Sequence, residues 1–224
     1  MYGKPLLTGA GLRQKGKNMK KIWNAEEKLK IERTLQEKGY TYIAGVDEVG
    51  RGPLAGPVVC AAVIMPLEAE TLIAGVDDSK KLSAKKREQL AELIKERALA
   101  YAIFEVSESR IDEINILEAT KEGMREALLA LDIKPEVVIT DGNMTLDIPF
   151  PQSSVIHGDA LSYSIGAASI VAKVYRDALM DEFAKVYPAY GFERNKGYGT
   201  AEHIQGIKEH GLCPIHRRTF TKKF

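Results

Sequence analysis

The sequence has few cysteines, no long apolar run and almost no net charge. Two cysteines among 224 residues give no indication of a disulfide framework and favour a reducing compartment. No apolar stretch approaches the roughly 20 residues of a membrane span, and the N-terminus lacks the apolar core of a signal peptide. The formal net charge is +1, so any surface for a polyanion has to be a local patch. We therefore expect a cytoplasmic protein with no membrane partner.

The length and the hydrophobic content of 45% are sufficient for one domain with a sizeable core. Residues 1–19 are rich in glycine and lysine and show no periodic pattern. We predict that they form an unstructured or artificially added extension, with Met19 as an alternative start. Residues 20–224 are then expected to form a single domain.

Hydrophobic periodicity predicts strands that alternate with helices. The strands are "YTYIAGV", "PVVCAAVIMP", "YAIFEVS", "PEVVIT" and "SSVIHGD". One predicted helix is capped by Asn24 and stopped by Gly39, a second follows Ser83, and a long one over residues 160–187 is dense in alanine and serine. A helix over 109–131 is predicted to bury one face, formed by Ile114, Leu117, Met124 and Leu128. The short link between the first two strands favours an antiparallel pair, and the whole order predicts an α/β fold with a mixed sheet.

Acidic residues recur where apolar runs end. Asp47 and Glu48 follow "YIAGV", Asp141 follows "VVIT", and Asp159 follows "SVIHG". Functional sites of open α/β sheets gather at the carboxyl ends of strands, so these acids meet if the first strand and "PEVVIT" are neighbours. Buried carboxylates that repel one another cost several kcal/mol per ion, and a divalent cation removes that cost. Hard oxygen ligands select Mg²⁺ or Mn²⁺.

Each acid also has a purely structural interpretation. Asp141 precedes Gly142 in a typical turn dipeptide, and Asp159 before a helix is a typical N-cap. An Asp-Glu pair at the end of a strand usually lies in a solvated loop. Position alone therefore leaves a metal site and these structural roles open.

Six motifs follow one another along the chain and identify a family. They are "AGVDEVGRGPLAGPVVCAAVI", "DDSKKLS", "TDGN", "HGDALSYSIGAASIVAKVYRD", "NKGYGT" and "PIHRRTF". Together they cover the chain from about Tyr40 to Phe220 and strongly resemble bacterial type 2 ribonuclease H, or ribonuclease HII. The segment "GRGPLAGP" resembles type 2 rather than type 3 enzymes. The resemblance implies an RNase H-like fold: a mixed five-stranded sheet flanked by helices, with a helical C-terminal part.

The resemblance also implies a reaction and its partners. The expected activity is endonucleolytic hydrolysis of the RNA strand of RNA–DNA hybrids by a monomer. Incision 5′ to a single ribonucleotide in duplex DNA, leaving 3′-hydroxyl and 5′-phosphate ends, is expected as well. By motif, the metal-binding carboxylates are Asp47, Glu48, Asp141 and Asp159. They are expected to hold two Mg²⁺ or Mn²⁺ ions, one lowering the pKa of the attacking water and the other stabilising the departing 3′-oxygen.

The family resemblance assigns RNA recognition to a turn and a tyrosine. Gly50, Arg51 and Gly52 match the ribonucleotide-sensing turn, where the lack of a Cβ lets main-chain groups approach the 2′-hydroxyl. Arg51 is expected either to contact phosphate or to buttress the turn. Tyr198 resembles the tyrosine that stacks on the sugar at the RNA–DNA junction. The pattern alone leaves it either exposed for contact or packed on the sheet edge.

Other polar residues have weaker assignments. Ser79 and Lys80 resemble residues of the family that face phosphate or the site, although a lysine in a polar loop is usually just solvated. Lys173 and Arg176 either face nucleic acid or pair with acids on their own helix. The basic end "HRRTFTKKF" either follows duplex phosphates or is a solvated terminus.

Two other function classes compete with a nuclease. A hybrid-binding protein without catalysis is disfavoured because all four carboxylates are present. A transposase or integrase needs DNA-end-binding domains for which the chain has no room.

Overall fold

A computed structural model of the protein describes residues 23–223, so the extension predicted over residues 1–19 lies outside the described residues. The described chain forms five strands and seven α-helices. The strands are β1 (Ile43–Val49), β2 (Val58–Ile64), β3 (Ala100–Val106), β4 (Val137–Asp141) and β5 (Gln152–Val155). The helices are α1 (Ala25–Glu37), α2 (Ala84–Arg97), α3 (Glu108–Leu129), α4 (Gly158–Leu161), α5 (Tyr163–Val186), α6 (Phe192–Asn195) and α7 (Ala201–His210).

The strands form one mixed sheet in the order β3-β2-β1-β4-β5. The pairs β1–β2 and β2–β3 are antiparallel, whereas β1–β4 and β4–β5 are parallel. The predicted mixed sheet and the antiparallel start are therefore confirmed, and the first and fourth strands are neighbours, which is the condition under which their terminal acids meet. Because β1 and β4 run in the same direction, their carboxyl ends lie at the same edge of the sheet.

Helices cover both faces of the sheet because β2 is apolar on both sides. Side chains alternate between the faces of a strand, so odd and even positions of β2 enter different cores. Val59, Ala61 and Val63 pack with residues of α1, α2 and α5, while Cys60, Ala62 and Ile64 pack with residues of α3. The caps predicted at Asn24 and Ser83 are both made.

The helix α5 lies directly against β1 in the centre of the molecule. A Cβ added to Gly45 would lie 2.2 Å from the carbonyl carbon of Ser164, so no side chain fits between strand and helix. Ala167, Ala168 and Ala172 are fully buried on the same helix. The alanine- and serine-rich helix therefore packs closely on the sheet, with its first turn against Gly45 of β1.

The structure corrects the prediction of an uninterrupted helix over 109–131. Asn115 has φ 69° and ψ 166°, which divides α3 into two helical segments. Its side-chain oxygen accepts hydrogen bonds from the amides of Leu117 and Glu118, at 2.9 and 3.2 Å, and so caps the second segment. Met124 and Leu128 are buried as predicted. Leu117 is 41% exposed, because the break at Asn115 changes which side of the next helical turn faces the core.

The C-terminal part is helical, as expected, and packs on the loop between β1 and β2. Tyr190, Phe192 and Ile207 form a small core with Ala55 of that loop. Ala55 also forms an isolated antiparallel β-bridge with His216, near the C-terminus. Among the residues that the structure describes, none of the helices has the length and apolar character needed to cross a bilayer.

Candidate active site

Three carboxylates from separate parts of the chain meet at one edge of the sheet. Asp47 lies near the end of β1, Asp141 ends the neighbouring β4, and Asp159 lies in the first turn of α4. One oxygen of each carboxylate lies within 4.8 Å of the other two. Glu48, the fourth predicted ligand, is outside this group of three.

Main-chain amides fix two of these carboxylates. The Oδ1 atom of Asp141 accepts a hydrogen bond from the amide of Gly158 at 2.7 Å, which ties β4 to the start of α4. The Oδ1 atom of Asp47 accepts from the amide of Glu48 at 2.8 Å. Asp159 is not the N-cap of α4, because His157 occupies that position in a left-handed conformation with φ 58°. Its carboxylate is thus free of the structural role that the sequence left open.

The electrostatics of the group disfavour three bare anions. Burial raises the pKa of Asp47 well above its ordinary value, and the charges of Glu48 and Asp141 add to the effect despite a hydrogen bond from Ser169. Burial and the charge of Asp141 also raise the pKa of Asp159, with Lys80 opposing. Carboxylates with raised pKa values that crowd around one point are a donor set suited to a hard divalent cation.

Glu48 belongs to the same electrostatic system. Burial and the charge of Asp141 raise its pKa, while Arg51 lowers it. A terminal nitrogen of Arg51 lies 3.4 Å from Oε1 of Glu48. The side chain of Arg51 thus pairs with the acidic cluster from the surface.

Ser79 and Lys80 approach the carboxylates in different ways. Ser79 is buried and its hydroxyl lies 3.0 Å from that of Ser169, the residue that hydrogen-bonds Asp47. Lys80 is largely exposed, and its Nζ lies 3.5 Å from Oδ2 of Asp159. Lys80 is therefore the residue of this pair that solvent-borne phosphate can reach, whereas Ser79 reaches the site through Ser169.

Two buried arginines hold the loop over residues 50–57, which begins with the turn of Gly50, Arg51 and Gly52. Arg217 donates to the carbonyl oxygens of Gly50, Arg51 and Gly56 at 2.6 to 3.0 Å. Arg176 donates to the carbonyl oxygens of Pro57, Ala55 and Lys196 at 2.9 to 3.1 Å. Neither guanidinium is exposed. The turn is thus fixed by its carbonyl groups.

Both arginines correct the sequence-based assignment. Arg176 neither faces nucleic acid nor pairs with an acid of α5, and Arg217 belongs to neither a phosphate-binding tail nor a solvated end. The sequence did contain an indication that Arg176 is buried. It stands four residues from both Ala172 and Met180, which are buried, and so shares their helix face. Lys173, in contrast, pairs with Asp177 at 2.6 Å, one of the two predicted alternatives.

Tyr198 stands beside the turn with its side chain 45% exposed. Its ring atom Cε1 lies 3.5 Å from the position that a Cβ of Gly52 would occupy. The amide of Leu54 donates to the carbonyl oxygen of Gly197 at 2.8 Å, which fastens the tyrosine loop to the turn. Of the two arrangements predicted for Tyr198, the structure shows the exposed one.

The two cysteines are free thiols, and neither contributes to a metal cluster among residues 23–223. Cys213 Sγ lies 3.1 Å from Nδ1 of His216, and His216 in turn contacts His203. These residues form a hydrogen-bonded group in the C-terminal part, in which the two histidines are buried and Cys213 is half-buried.

Comparisons with known proteins point to one family. A family model described as Ribonuclease HII matches residues 44–223. A ribonuclease HII from Ligilactobacillus salivarius is 52% identical over 208 residues, which cover 91% of this chain and 80% of the relative. One from Bacillus cereus strain AH820 is 54% identical over 194 residues, or 87% of this chain and 74% of the relative. The crystal structure of ribonuclease H2 from Pyrococcus horikoshii OT3 is similar with a TM-score of 0.68 and 29% identity, covering 81% of this chain and 94% of that one. The predicted RNase H-like fold is confirmed.

Proposed function

Because this chain belongs to the ribonuclease HII family, whose members are endonucleases that cleave the RNA of RNA–DNA hybrids, we propose that it also incises DNA duplexes 5′ to a single ribonucleotide. The products would carry 3′-hydroxyl and 5′-phosphate ends. The observation that carries the proposal is the convergence of three carboxylates within 4.8 Å, close in sequence to a turn whose carbonyl groups accept hydrogen bonds from the buried Arg217. We further infer that residues 20–224 act as one catalytic domain and as a monomer.

The acidic group fits a pair of divalent cations. Asp47, Asp141 and Asp159 offer oxygen ligands, and Glu48 lies next to them with a raised pKa. When bound, two Mg²⁺ or Mn²⁺ ions supply an activated water and neutralise the charge of the departing 3′-oxygen. Phosphodiester hydrolysis then needs no side-chain nucleophile from this chain.

The neighbouring residues orient the carboxylates and the substrate. Ser169 hydrogen-bonds Asp47, and the hydroxyl of Ser79 lies 3.0 Å from that of Ser169, so both hold Asp47 in one orientation. Lys80 is placed to receive a phosphate beside Asp159 and to balance part of its charge. The turn of Gly50 to Gly52 supplies main-chain groups for the 2′-hydroxyl, the group that distinguishes RNA from DNA. Tyr198 supplies an exposed ring against which the next sugar can pack.

The central test is a DNA duplex that contains one ribonucleotide, incubated with Mg²⁺, with Mn²⁺ or with a chelator. We expect one incision on the 5′ side of the ribonucleotide with either metal, and none with the chelator or on an all-DNA duplex. Resealing of the nick by a ligase requires a 3′-hydroxyl beside a 5′-phosphate, so ligation together with end-labelling identifies both ends. Cleavage of a uniform hybrid without incision at the single ribonucleotide would leave the family activity intact and overturn the proposal.

We expect Tyr198→Ala to impair incision at a single ribonucleotide more than it impairs binding of a long hybrid. Loss of one aromatic stacking partner typically costs about 1–3 kcal/mol, so kcat/KM should fall by about 5- to 150-fold. Tyr198→Phe keeps the ring and serves as the matched control, with activity close to that of the wild type. The measurement is kcat/KM on the single-ribonucleotide duplex beside Kd for a uniform hybrid, and equal losses in both would contradict a role at the junction.

A further inference from the structure

Two buried histidines connect the C-terminal segment to the loop that carries Tyr198. His203 lies in α7 and His216 lies beyond its end, and both are almost completely buried. Their Nε2 atoms are 3.0 Å apart. The rings of Tyr190 and Phe192 pack edge-on against them, with centroid distances of 4.9 Å to His216 and 5.2 Å to His203. The pair is enclosed by apolar rings, with main-chain groups at its two ends.

The two ends decide which nitrogen of each ring carries the proton. Nδ1 of His203 lies 2.9 Å from the carbonyl oxygen of Tyr198, which can only accept, so this nitrogen is protonated. Nδ1 of His216 lies 2.9 Å from the amide of Cys213, which can only donate, so this nitrogen is bare. A neutral imidazole carries one proton, so the proton of His216 is on Nε2 and Nε2 of His203 is bare. Nε2 of His216 therefore donates to Nε2 of His203. Every donor in the chain then meets an acceptor.

The reverse arrangement requires a charge in an apolar enclosure. Nδ1 of His216 is also 3.2 Å from the carbonyl oxygen of Cys213, so a proton on Nδ1 is the alternative. Nε2 of His216 would then be bare, and His203 would need protons on both nitrogens. Burial lowers the pKa of His203 and lowers that of His216 to about 4, so a charged ring is disfavoured at neutral pH. The neutral, one-directional chain is the arrangement that the surroundings support.

We infer that His203 and His216 are positioning residues for substrate recognition, holding the Tyr198 main chain through a hydrogen-bond chain that begins at the Cys213 amide. The inference rests on the proposed role of Tyr198 in incision at a single ribonucleotide. The residue after His216 is Arg217, which donates to the carbonyl oxygens of Gly50 and Arg51. The consecutive residues His216 and Arg217 thus hold the loop of Tyr198 through the two histidines and the turn of Gly50 and Arg51 directly.

The tautomers can be observed in the full-length wild-type protein. A long-range ¹H–¹⁵N correlation spectrum at pH 7 should show His203 protonated at Nδ1 and His216 protonated at Nε2. The exposed His210 is the internal control, and its ring should exchange freely between the two tautomers. A spectrum in which His216 carries its proton on Nδ1, or in which both buried rings exchange freely, would overturn the inference without any substitution.

A pair of variants tests the function of the chain. In His203→Asn the side-chain amide nitrogen takes the place of Nδ1 and keeps the bond to Tyr198, whereas in His203→Gln the amide lies at the place of Nε2 and loses it. We expect His203→Gln to lower kcat/KM on the single-ribonucleotide duplex by about tenfold, with a change below about threefold on a uniform hybrid. His203→Asn should stay closer to the wild type on both substrates.

The outcomes separate this inference from the proposed function. A wild-type protein that cleaves hybrids but leaves the single ribonucleotide intact would overturn the proposed function. A wild-type protein that incises the single ribonucleotide, together with equal effects of the two His203 variants, would overturn the inference alone. Equal loss on both substrates in His203→Gln would also overturn it, because a merely structural defect affects both. If either variant fails to fold, as shown by circular dichroism, the tautomer spectrum of the wild type remains decisive.

Discussion

Asp47→Asn is expected to abolish metal-dependent hydrolysis of RNA–DNA hybrids while making the metal-free protein more stable. The carboxylate of Asp47 is buried and lies within 4.8 Å of two other acidic oxygens, so its loss removes a central ligand of the proposed metal pair. Metal catalysis supplies several kcal/mol of transition-state stabilisation, and each 1.36 kcal/mol is a factor of ten. We therefore expect the rate of hydrolysis to fall by about 10³-fold or more.

The stability change has the opposite sign because the same site is a buried concentration of negative charge. Burial and neighbouring acids raise the pKa of Asp47 above its ordinary value of 3.8, so the folded state loses stability as pH rises through that raised pKa. An uncharged asparagine of nearly the same shape removes the repulsion. In a chelator at pH 8, the free energy of unfolding should rise by about 1–3 kcal/mol.

Melting curves at several pH values with and without Mn²⁺ check this prediction. The metal-free wild type should lose stability progressively above about pH 4, and Asp47→Asn should lose less. Mn²⁺ should raise the melting temperature of the wild type and have little effect on the variant. Asp132→Asn removes one exposed acid outside the site and is the matched control, with activity and stability unchanged. A variant that is both inactive and less stable than the wild type in the chelator would contradict the repulsive charge cluster.

The acids of this site could be predicted because a strand that ends at a sheet edge leaves a simple pattern in the sequence. Asp47 and Asp141 directly follow apolar runs, and the parallel pairing of β1 with β4 brings them together. Asp159 was ambiguous because an acid before a helix is a typical cap. The left-handed conformation of His157, which removes that role, leaves no mark in hydrophobic periodicity.

The arginines that hold the recognition turn were harder to predict. Charge is normally a surface property, so Arg217 in a basic C-terminal stretch was expected at solvent. Its partners are main-chain carbonyls more than 160 residues earlier in the sequence, and main-chain groups have no side-chain identity to detect. The prediction that Leu117 is buried was wrong for a related reason, since the break at Asn115 depends on one backbone conformation rather than on the apolar pattern. Sequence patterns report side chains, and this turn is built from main-chain contacts.

Gly50→Ala and Gly52→Ala are expected to differ sharply although they add the same methyl group two residues apart. Gly50 has φ 93°, and a Cβ there would lie 2.2 Å from Nε of Arg176. Arg176 cannot move aside, because its guanidinium is buried and donates to three carbonyl oxygens. Backbone strain of about 1–3 kcal/mol and overpacking of about 1–3 kcal/mol should together lower the free energy of unfolding by about 2–6 kcal/mol. For a chain of this size the melting temperature should fall by about 10 °C.

Gly52→Ala meets only open space and an exposed ring. The nearest atom to its Cβ is Cε1 of Tyr198 at 3.5 Å, an ordinary van der Waals distance, and its φ is outside the left-handed region. The protein should therefore fold with a melting temperature within about 2 °C of the wild type. The methyl group nevertheless fills space between the turn and Tyr198, where the sugar of the ribonucleotide is proposed to lie. We expect kcat/KM on the single-ribonucleotide duplex to fall by about tenfold or more, because the main chain can no longer approach the 2′-hydroxyl closely.

Thermal unfolding and kcat/KM measured on the same preparations separate the two effects. Gly50→Ala should be unstable, and its residual activity should follow the fraction that stays folded as temperature is lowered. Gly52→Ala should be stable and should lose discrimination at every temperature. Full activity of Gly52→Ala on the single ribonucleotide would remove the turn from recognition of the 2′-hydroxyl. A wild-type melting temperature for Gly50→Ala would show that Arg176 does not brace the turn. The comparison thus tests separately the two properties joined in this turn, rigidity from the buried arginines and access for the sugar.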